Sequence, residues 1–320
     1  MKKFTKKIIW FIAPFFIYFF AIIYIYINNS KNDSIPAINF SNSYSFNEKI
    51  RFMKTKDKTA SILAIGSSMT LDNLDSKTIL ANLNIGNYIN AASWGMSIYN
   101  DYIFLKSLSK IYNIKCVIIS SNIIDFKTPG INVDFQFIEN YLESDNYSIV
   151  TFEKFINTFS PKYYMRNFSY VKKVRNDSTQ IEYLNYDNFG AVSFPKDNFN
   201  INKKRWVADN LDSPCIELQY NYLDSISNYC KINKIELLFF QSPYREGIWD
   251  NFNSSKLNKL NLHIKRIKSI LKSDNHFFVN SNEKLWPDSL FCDATHMNCI
   301  GAQLYTKFCF DKKNSLIIKK

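Results

Sequence analysis

Residues 61–70 of the chain read SILAIGSSMT, and this stretch decides the fold. It begins as a short apolar run, which is typical of a strand buried on both faces of a sheet. The run ends at Gly66, and two serines follow before helical spacing begins near residue 76. We therefore expect a buried β-strand that leads through a tight polar turn towards a helix, with Ser68 in the turn.

The same alternation of strand and helix continues on the C-terminal side. Four more stretches resemble buried strands, at residues 87–92 (NYINAA), 115–120 (KCVIIS), 236–241 (ELLFFQ) and 276–280 (HFFVN). Helical spacing of apolar residues occurs at 98–112, 217–231, 255–271 and 300–311. Strands that alternate with helices predict a parallel sheet covered on both faces. The predicted fold class is therefore α/β, a three-layer α/β/α arrangement around a central parallel sheet.

Two parts of the chain interrupt this pattern. Residues 29–59 are polar and contain runs of Asn and Ser, which favours a membrane-proximal stalk or linker. Residues 128–204 contain many Tyr, Phe and Asn residues without clean periodicity, which favours an insertion over one edge of the sheet. The α/β domain is therefore expected at 60–320, after a basic tail and an apolar helix at 1–28.

The apolar run near the N-terminus is long enough to cross a membrane. Residues 8–27 (IIWFIAPFFIYFFAIIYIYI) carry no charge, and a helix of that length spans roughly 30 Å of hydrocarbon. Lysines at positions 2, 3, 6 and 7 predict a cytoplasmic N-terminus and an extracytoplasmic domain. A cleaved signal peptide is the alternative, but the run is long and no small-residue cleavage site follows it. We expect a single-pass anchor in the cytoplasmic membrane, with the domain in the periplasm or at the cell surface.

The net charge of +12 does not by itself indicate a nucleic-acid-binding protein. Eight of the lysines lie at the termini, at positions 2–7 and 312–320, and export would separate the chain from nucleic acid. Six cysteines lie at 116, 215, 230, 292, 299 and 309 without zinc-ligand spacing, so we expect no metal and no cofactor. An even number of cysteines in an exported protein permits disulfides, and Cys292–Cys299 and Cys215–Cys230 are the two candidate pairs.

Polar side chains collect in the loops after the predicted strands, where ligands bind to open parallel sheets. Ser68 follows the first strand, and the N-terminus of the next helix favours developing negative charge there. His296 follows the last strand, three residues after Asp293. This spacing lets the carboxylate hold Nδ1, so that Nε2 is left to accept the serine proton. Taken singly, Ser68 is also explained as a helix N-cap, and Asp293 as a cap beside an incidental histidine.

Gly95 and Asn122 follow the second and third predicted strands. With the backbone N–H of Ser68, the Gly95 N–H and the Asn122 amide are the candidate donors of an oxyanion hole. Losing one such donor typically raises the barrier by about 3–4 kcal/mol. A glycine also lets the backbone approach a substrate closely. Individually, both residues equally suit ordinary turns.

Together, these four blocks resemble those of the SGNH (GDSL-like) hydrolase superfamily. The matching blocks are GSSMT around Ser68, NAASWG ending in Gly95, SSN ending in Asn122, and DATH with Asp293 and His296. The resemblance covers about residues 61–310 without the insertion, and it implies the flavodoxin-like SGNH fold. Ser67 stands where the family has Asp, and Ser120 stands where it has Gly. These departures look like the membrane-anchored branch, which acylates or deacylates cell-envelope polymers.

The resemblance implies a serine acyl-transfer enzyme. We expect an O-acyltransferase, with acetyl as the favoured acyl group, that modifies a cell-envelope polysaccharide through an acyl-enzyme on Ser68. Its partners would be an acylated glycan or acyl donor and, by family analogy, a multipass membrane acyltransferase that passes the acyl group outward. Two alternatives stay open: an esterase or deacetylase of the same polymers, and a non-catalytic glycan-binding or assembly scaffold.

Residues 161–175 (PKYYMRNFSYVKKVR) interleave aromatic and basic side chains. The spacing favours a basic amphipathic helix on the surface. Stacking on sugar rings and contact with anionic lipid headgroups are the functional alternatives.

Overall fold

The computed structural model describes residues 2–29, 31–83, 85–144, 149–195 and 213–317. Five strands form the sheet: β1 (Ala60–Ala64), β2 (Asn87–Asn90), β3 (Cys116–Ser121), β4 (Glu236–Gln241) and β5 (Phe277–Asn280). The helices of the N-terminal half are α1 (Lys2–Asn28), α2 (Tyr44–Lys54), α3 (Ser68–Asn73), α4 (Ser76–Asn82), α5 (Ile98–Ile111) and α6 (Phe135–Glu143). They are followed by α7 (Ile149–Thr158), α8 (Pro161–Asn176), α9 (Glu217–Ile232), α10 (Glu246–Trp249), α11 (Ser254–Ser273) and α12 (Cys299–Ile317).

All five strands are parallel and lie in the order β2-β1-β3-β4-β5. Each predicted strand is present, and its ends differ from the prediction by at most two residues. Because the strands are parallel, their carboxyl ends lie at one edge of the sheet. The loops that carry the candidate site residues therefore meet at that edge.

Alternate side chains of the strands enter two separate cores. Leu63 and Val117 pack on one face of the sheet with residues of α2, α5, α6, α9 and α11. Ile62 and Ile118 pack on the other face with residues of α4 and α12. The three-layer α/β/α prediction is therefore confirmed. Because side chains on both faces of the sheet are buried, each strand appears in the sequence as a continuous apolar run.

The segment predicted as a stalk is instead part of the domain. Within it, α2 buries Phe46, Ile50 and Met53 at helical spacing against the core of the sheet. The polar composition is misleading because several of its polar side chains are buried and bonded. Glu48, for example, accepts hydrogen bonds from the Ala37 N–H at 2.9 Å and from Arg175 at 2.7 Å. A buried polar group with such partners avoids the cost of desolvation.

The segment predicted as an insertion contains α6, α7 and α8, while residues 196–204 lie outside the described residues. α6 packs against α2 and α5, and α7 packs against α1. The segment is therefore built of helices that pack against other helices of the domain. The predicted bounds of the insertion stay a prediction.

Among the described residues, α1 is the one helix that is long and apolar enough to cross a membrane. The span covers Lys3–Asn28, and its most apolar stretch of 18 residues has a mean hydropathy of 2.4. Most of its side chains are exposed, but Ile22 is buried and Tyr26 packs against the domain. The last turns of α1 are therefore joined to the domain by direct contacts.

Neither of the two candidate disulfides forms. Cys230 of the first pair (Cys215–Cys230) and Cys299 of the second pair (Cys292–Cys299) form no disulfide bond. Each candidate pair therefore lacks one partner. Cys230 is fully buried in the core of the sheet, where a thiol acts as a small apolar side chain.

Replacing Phe46 tests whether α2 belongs to the domain. Phe46 is fully buried, and its ring lies 5.4 Å from that of Phe104. We expect Phe46→Ala to lower the free energy of unfolding by about 3–5 kcal/mol, because it leaves a cavity in the core. Thermal unfolding of the full chain in detergent measures the change. Phe168→Ala, at a half-exposed position on α8, is the matched control and should cost under about 1 kcal/mol. Equal stability of the two variants would show that α2 does not support the core.

Candidate active site

The turn between β1 and α3 is fixed by two residues. Gly66 has a φ of +147°, and a Cβ at this position would collide with the Thr70 side chain. The Thr70 hydroxyl lies 2.7 Å from the carbonyl oxygen of Ser120 and accepts a hydrogen bond from the Ser120 N–H at 2.9 Å. The turn is thereby attached to the end of β3, and Ser68 begins α3 at the carboxyl edge of the sheet.

The imidazole of His296 joins Ser68 to Asp293. Its Nε2 atom lies 2.8 Å from Ser68 Oγ. Its Nδ1 atom lies 2.9 Å and 2.8 Å from the two carboxylate oxygens of Asp293. The structure therefore brings together the three residues that the sequence selects as nucleophile, base and orienting acid.

Asp293 also shapes the loop that carries the base. Its Oδ1 atom accepts hydrogen bonds from the N–H groups of Thr295 at 3.1 Å and His296 at 2.9 Å. Burial by itself would raise the pKa of Asp293, but the charge of His296 and these hydrogen bonds outweigh it and lower the pKa below its usual value. An ionised Asp293 accepts a hydrogen bond from Nδ1–H, and Nε2 is then the basic nitrogen that faces Ser68.

Asn73 holds the His296 loop from both sides, and the sequence interpretation missed it. Its Nδ2 donates to the Thr295 carbonyl at 3.0 Å, and its Oδ1 accepts from the Met297 N–H at 2.8 Å. Asn73 ends α3, the short helix that Ser68 begins. The two partners of the catalytic hydrogen bond are therefore positioned by one helix. No local pattern reveals a contact between residues 222 positions apart.

Two further side chains adjoin His296. The Oδ2 atom of Asp72 lies 3.9 Å from Nε2, so a second carboxylate adjoins the nitrogen that faces the nucleophile. The Trp94 ring packs against the imidazole, with 4.6 Å between the ring centroids. Asp72 lies four residues after Ser68, one helical turn along, and this spacing is the sequence pattern that would have found it.

Asn122 lies beside the nucleophile at the end of β3. Its Oδ1 accepts from the Ile124 N–H at 2.9 Å, so its Nδ2 is the end that points towards Met69, 3.5 Å from the sulfur. Gly95 has a φ of +79° and is exposed, although the residues on both sides of it are buried. The preceding Ser93 N–H donates to the Gly66 carbonyl at 3.0 Å, which ties this loop to the nucleophile turn. Both predicted oxyanion residues thus belong to loops bonded to, or in contact with, the turn of Ser68.

A buried carboxyl group supports Asn122. Asp125 Oδ2 accepts hydrogen bonds from Ser121 Oγ at 2.7 Å and from the Asn122 N–H at 3.3 Å. Burial raises the pKa of Asp125 to about 6, and hydrogen bonds from Ser67 and Ser121 oppose this shift. Above that pH the carboxylate is ionised, and its hydrogen bonds are then charge-assisted.

The site is suited to covalent acyl transfer. Ser68 is 7% exposed and His296 and Asp293 are fully buried, so the hydrogen bonds act in a medium of low dielectric. A serine hydroxyl that donates to an oriented imidazole is the arrangement that nucleophilic catalysis needs. Among the described residues, no cluster of His, Cys, Asp or Glu side chains could hold a metal ion.

Comparisons with known proteins give similarity of shape only. No protein-family model matches the chain, and no curated protein matches it. A candidate acylhydrolase from Bacteroides fragilis is 12% identical, with a TM-score of 0.39, over 82% of this chain and 93% of that one. A GDSL-like lipase from Bacteroides thetaiotaomicron is 13% identical, with a TM-score of 0.40, over 84% and 98%. Similarities of this size assign neither a family nor an activity, so the function proposed below rests on the geometry of the site.

A fluorophosphonate tests whether Ser68 is activated. We expect one adduct per chain by intact mass, because Nε2 of His296 removes the serine proton during attack. Ser68→Ala and His296→Ala should each abolish the adduct. Ser67→Ala is the matched control and should keep the adduct. Ser67 is the N-cap of α3, and replacing such a residue by Ala lowers the free energy of unfolding by only about 1 kcal/mol. An adduct that persists in Ser68→Ala would assign the reactivity to another residue.

Replacing Asn73 tests how the base is positioned. We expect Asn73→Ala to lower the rate of fluorophosphonate labelling by about 10²-fold. Without Asn73 the base is displaced, and a displacement of about 1 Å lowers a reaction rate by roughly this factor. The labelling rate as a function of pH should keep its midpoint, since the base itself is unchanged. Asn82→Ala, at an exposed position on α4, is the control and should label at the normal rate. A normal rate in Asn73→Ala would mean that the loop keeps its position without this side chain.

Proposed function

We propose that the chain is a membrane-anchored serine acyl-transfer enzyme that O-acetylates a cell-envelope polysaccharide. The observation that carries this proposal is the 2.8 Å contact between Ser68 Oγ and His296 Nε2, with Asp293 on the opposite nitrogen. The acyl donor is an ester or thioester. The four blocks that resemble the membrane-anchored SGNH branch support the class of acceptor.

In the first half-reaction, Ser68 becomes acylated. Its Oγ bonds to the carbonyl carbon while its proton passes to Nε2 of His296, and the carbonyl electron pair moves onto oxygen. The N–H groups of Ser68 and Gly95 and the amide of Asn122 would donate to this oxyanion. The intermediate then collapses, and the leaving group takes the proton from His296.

In the second half-reaction, the acyl group moves to the glycan. A sugar hydroxyl attacks the acyl-serine carbonyl as its own proton passes to Nε2, and the collapse of the second intermediate releases Ser68 and the new ester. Water in place of the sugar would make the enzyme an esterase. The burial of Ser68 and His296 favours the transferase, because acyl transfer requires that water be kept from the acyl-enzyme.

The anchor supports an arrangement at the outer side of the membrane. Basic residues precede the apolar part of α1, which favours a cytoplasmic N-terminus and an extracytoplasmic domain. A multipass membrane acyltransferase that passes acyl groups outward is the partner that this arrangement needs, since acetyl donors are made in the cytoplasm. Near the membrane, the domain would meet both the donor and lipid-linked or nascent glycan.

A deletion strain tests the proposed direction of the reaction. We expect ¹H NMR of isolated envelope glycan to show a loss of O-acetyl groups, restored by the wild-type chain and by Ser67→Ala but not by Ser68→Ala. More O-acetyl in the deletion strain would identify an esterase. Full complementation by Ser68→Ala would identify a scaffold, and unchanged O-acetyl content would contradict a role in glycan acetylation.

A further inference from the structure

The outer face of α8 is basic and partly apolar. Its exposed side chains recur every three or four residues and include no acid: Lys162, Met165, Arg166, Phe168, Ser169, Lys172 and Lys173. Met165 is 79% exposed and Phe168 is 47% exposed. Large apolar side chains exposed among cations are typical of helices that lie in a membrane interface.

The inner face of α8 fixes which residues point outward. Tyr164, Val171 and Val174 are buried, and Val171 and Val174 belong to the cluster that contains Trp94 of the candidate site. The tyrosines of this segment are buried or half-buried, so they are not presented for stacking on sugar rings. The aromatic and basic pattern of residues 161–175 therefore divides into a packed side and a basic outer side.

Both ends of α8 lie close to the candidate membrane span. At its N-terminal end, the Phe159 ring lies 6.0 Å from that of Tyr18, within the apolar run of α1. At its C-terminal end, Arg175 donates to the backbone carbonyl of Asp33 at 3.1 Å, five residues beyond the end of α1. α8 therefore extends beside the point where α1 leaves the membrane.

α7 runs back along the last turns of α1. Tyr26 contacts Phe152 and Phe155, with 4.9 Å and 5.2 Å between ring centroids. Tyr18 precedes the end of α1 by ten residues, which is about 15 Å of helix. If α1 crosses a membrane, the corner between α7 and α8 must reach the level of the lipid. Exposed apolar side chains flank this corner on both helices, since Ile156 of α7 is 40% and Met165 of α8 is 79% exposed.

We infer that the outer face of α8, together with the exposed apolar residues of α7, forms a second membrane contact that binds anionic lipid headgroups. The inference rests on α1 crossing the membrane, not on the chemistry of Ser68. Lys162, Arg166, Lys172 and Lys173 contact the headgroups, while Met165 and Phe168 enter the boundary with the acyl chains. Each such cation near an anionic leaflet adds to the attraction, and salt screens it.

A second contact has a consequence for the site. A single spanning helix fixes the distance of a domain from the membrane but leaves its tilt less restricted. Because α8 packs on the cluster that includes Trp94, holding α8 on the lipid also holds the carboxyl edge of the sheet at a set orientation. The opening of the site towards donor and glycan is then defined relative to the membrane surface.

The test measures where α8 lies when the full chain is in a bilayer. An environment-sensitive fluorophore is attached to Ser169→Cys on α8, or to Ser273→Cys at the exposed end of α11, and the parent chain supplies the background labelling. Each protein is placed in nanodiscs of phosphatidylcholine, with or without phosphatidylglycerol. We expect emission from position 169 to shift to shorter wavelength with phosphatidylglycerol, and to return in 1 M salt, where the Debye length is about 3 Å. Position 273 should show no shift.

A charge variant makes the test specific. Lys162→Gln, Arg166→Gln, Lys172→Gln and Lys173→Gln together should abolish the shift at position 169. Lys265→Gln, Lys268→Gln and Lys272→Gln, on the basic and exposed side of α11, are the matched control and should keep it. Both variants should keep the thermal unfolding temperature of the parent chain, which shows that they fold.

Three results would overturn the inference. The first is equal emission from position 169 in neutral and anionic nanodiscs, and the second is a shift that survives the α8 charge variant. The third is a shift caused by soluble envelope glycan and not by lipid, which would make this face a glycan-binding surface instead.

Discussion

The hydroxyl group of Thr70 joins the carboxyl ends of two neighbouring strands, and the candidate site is arranged around it. It lies within hydrogen-bonding distance of the Ile65 and Ser120 carbonyls and accepts from the Ser120 N–H. Parallel strands bring several loops to one edge, but they do not determine how those loops meet. The Thr70 contacts do so: they leave room only for glycine at position 66, and they set the start of α3, where Ser68 lies.

Buried polar side chains extend this arrangement to the base and to the oxyanion donors. Asn73 bonds the backbone on both sides of His296, and Asp125 bonds the backbone of Asn122. An unpaired polar group at such depth would cost about 1–3 kcal/mol, so each side chain is held where its partners are. A site built in this way is oriented before substrate binds, and preorganised dipoles are the main source of electrostatic stabilisation in acyl transfer.

The N-terminal third of the chain ties the same domain to the candidate membrane span. α2 fills the core beneath the sheet, and its Glu48 forms ion pairs with Arg51 and with Arg175 at the end of α8. α1, α2, α7 and α8 therefore belong to one packed unit, in contrast to a domain on a flexible stalk. A rigid link of this kind suits an enzyme whose donor and acceptor are both presented at a membrane.

The sequence by itself determined the fold class, the strands and the identity of the triad candidates. Buried parallel strands require continuous apolar runs, and the spacing of Asp293 and His296 within one loop is local. Helical spacing from Ser68 points to Asp72, but no pattern reveals Asn73 or Trp94, whose contacts with the His296 loop join distant parts of the chain. The sequence also misplaced residues 29–59, because composition does not distinguish a solvated polar residue from a buried one that has found partners. Only the tertiary structure decides this, since burial and hydrogen bonding depend on which distant groups fold against each residue.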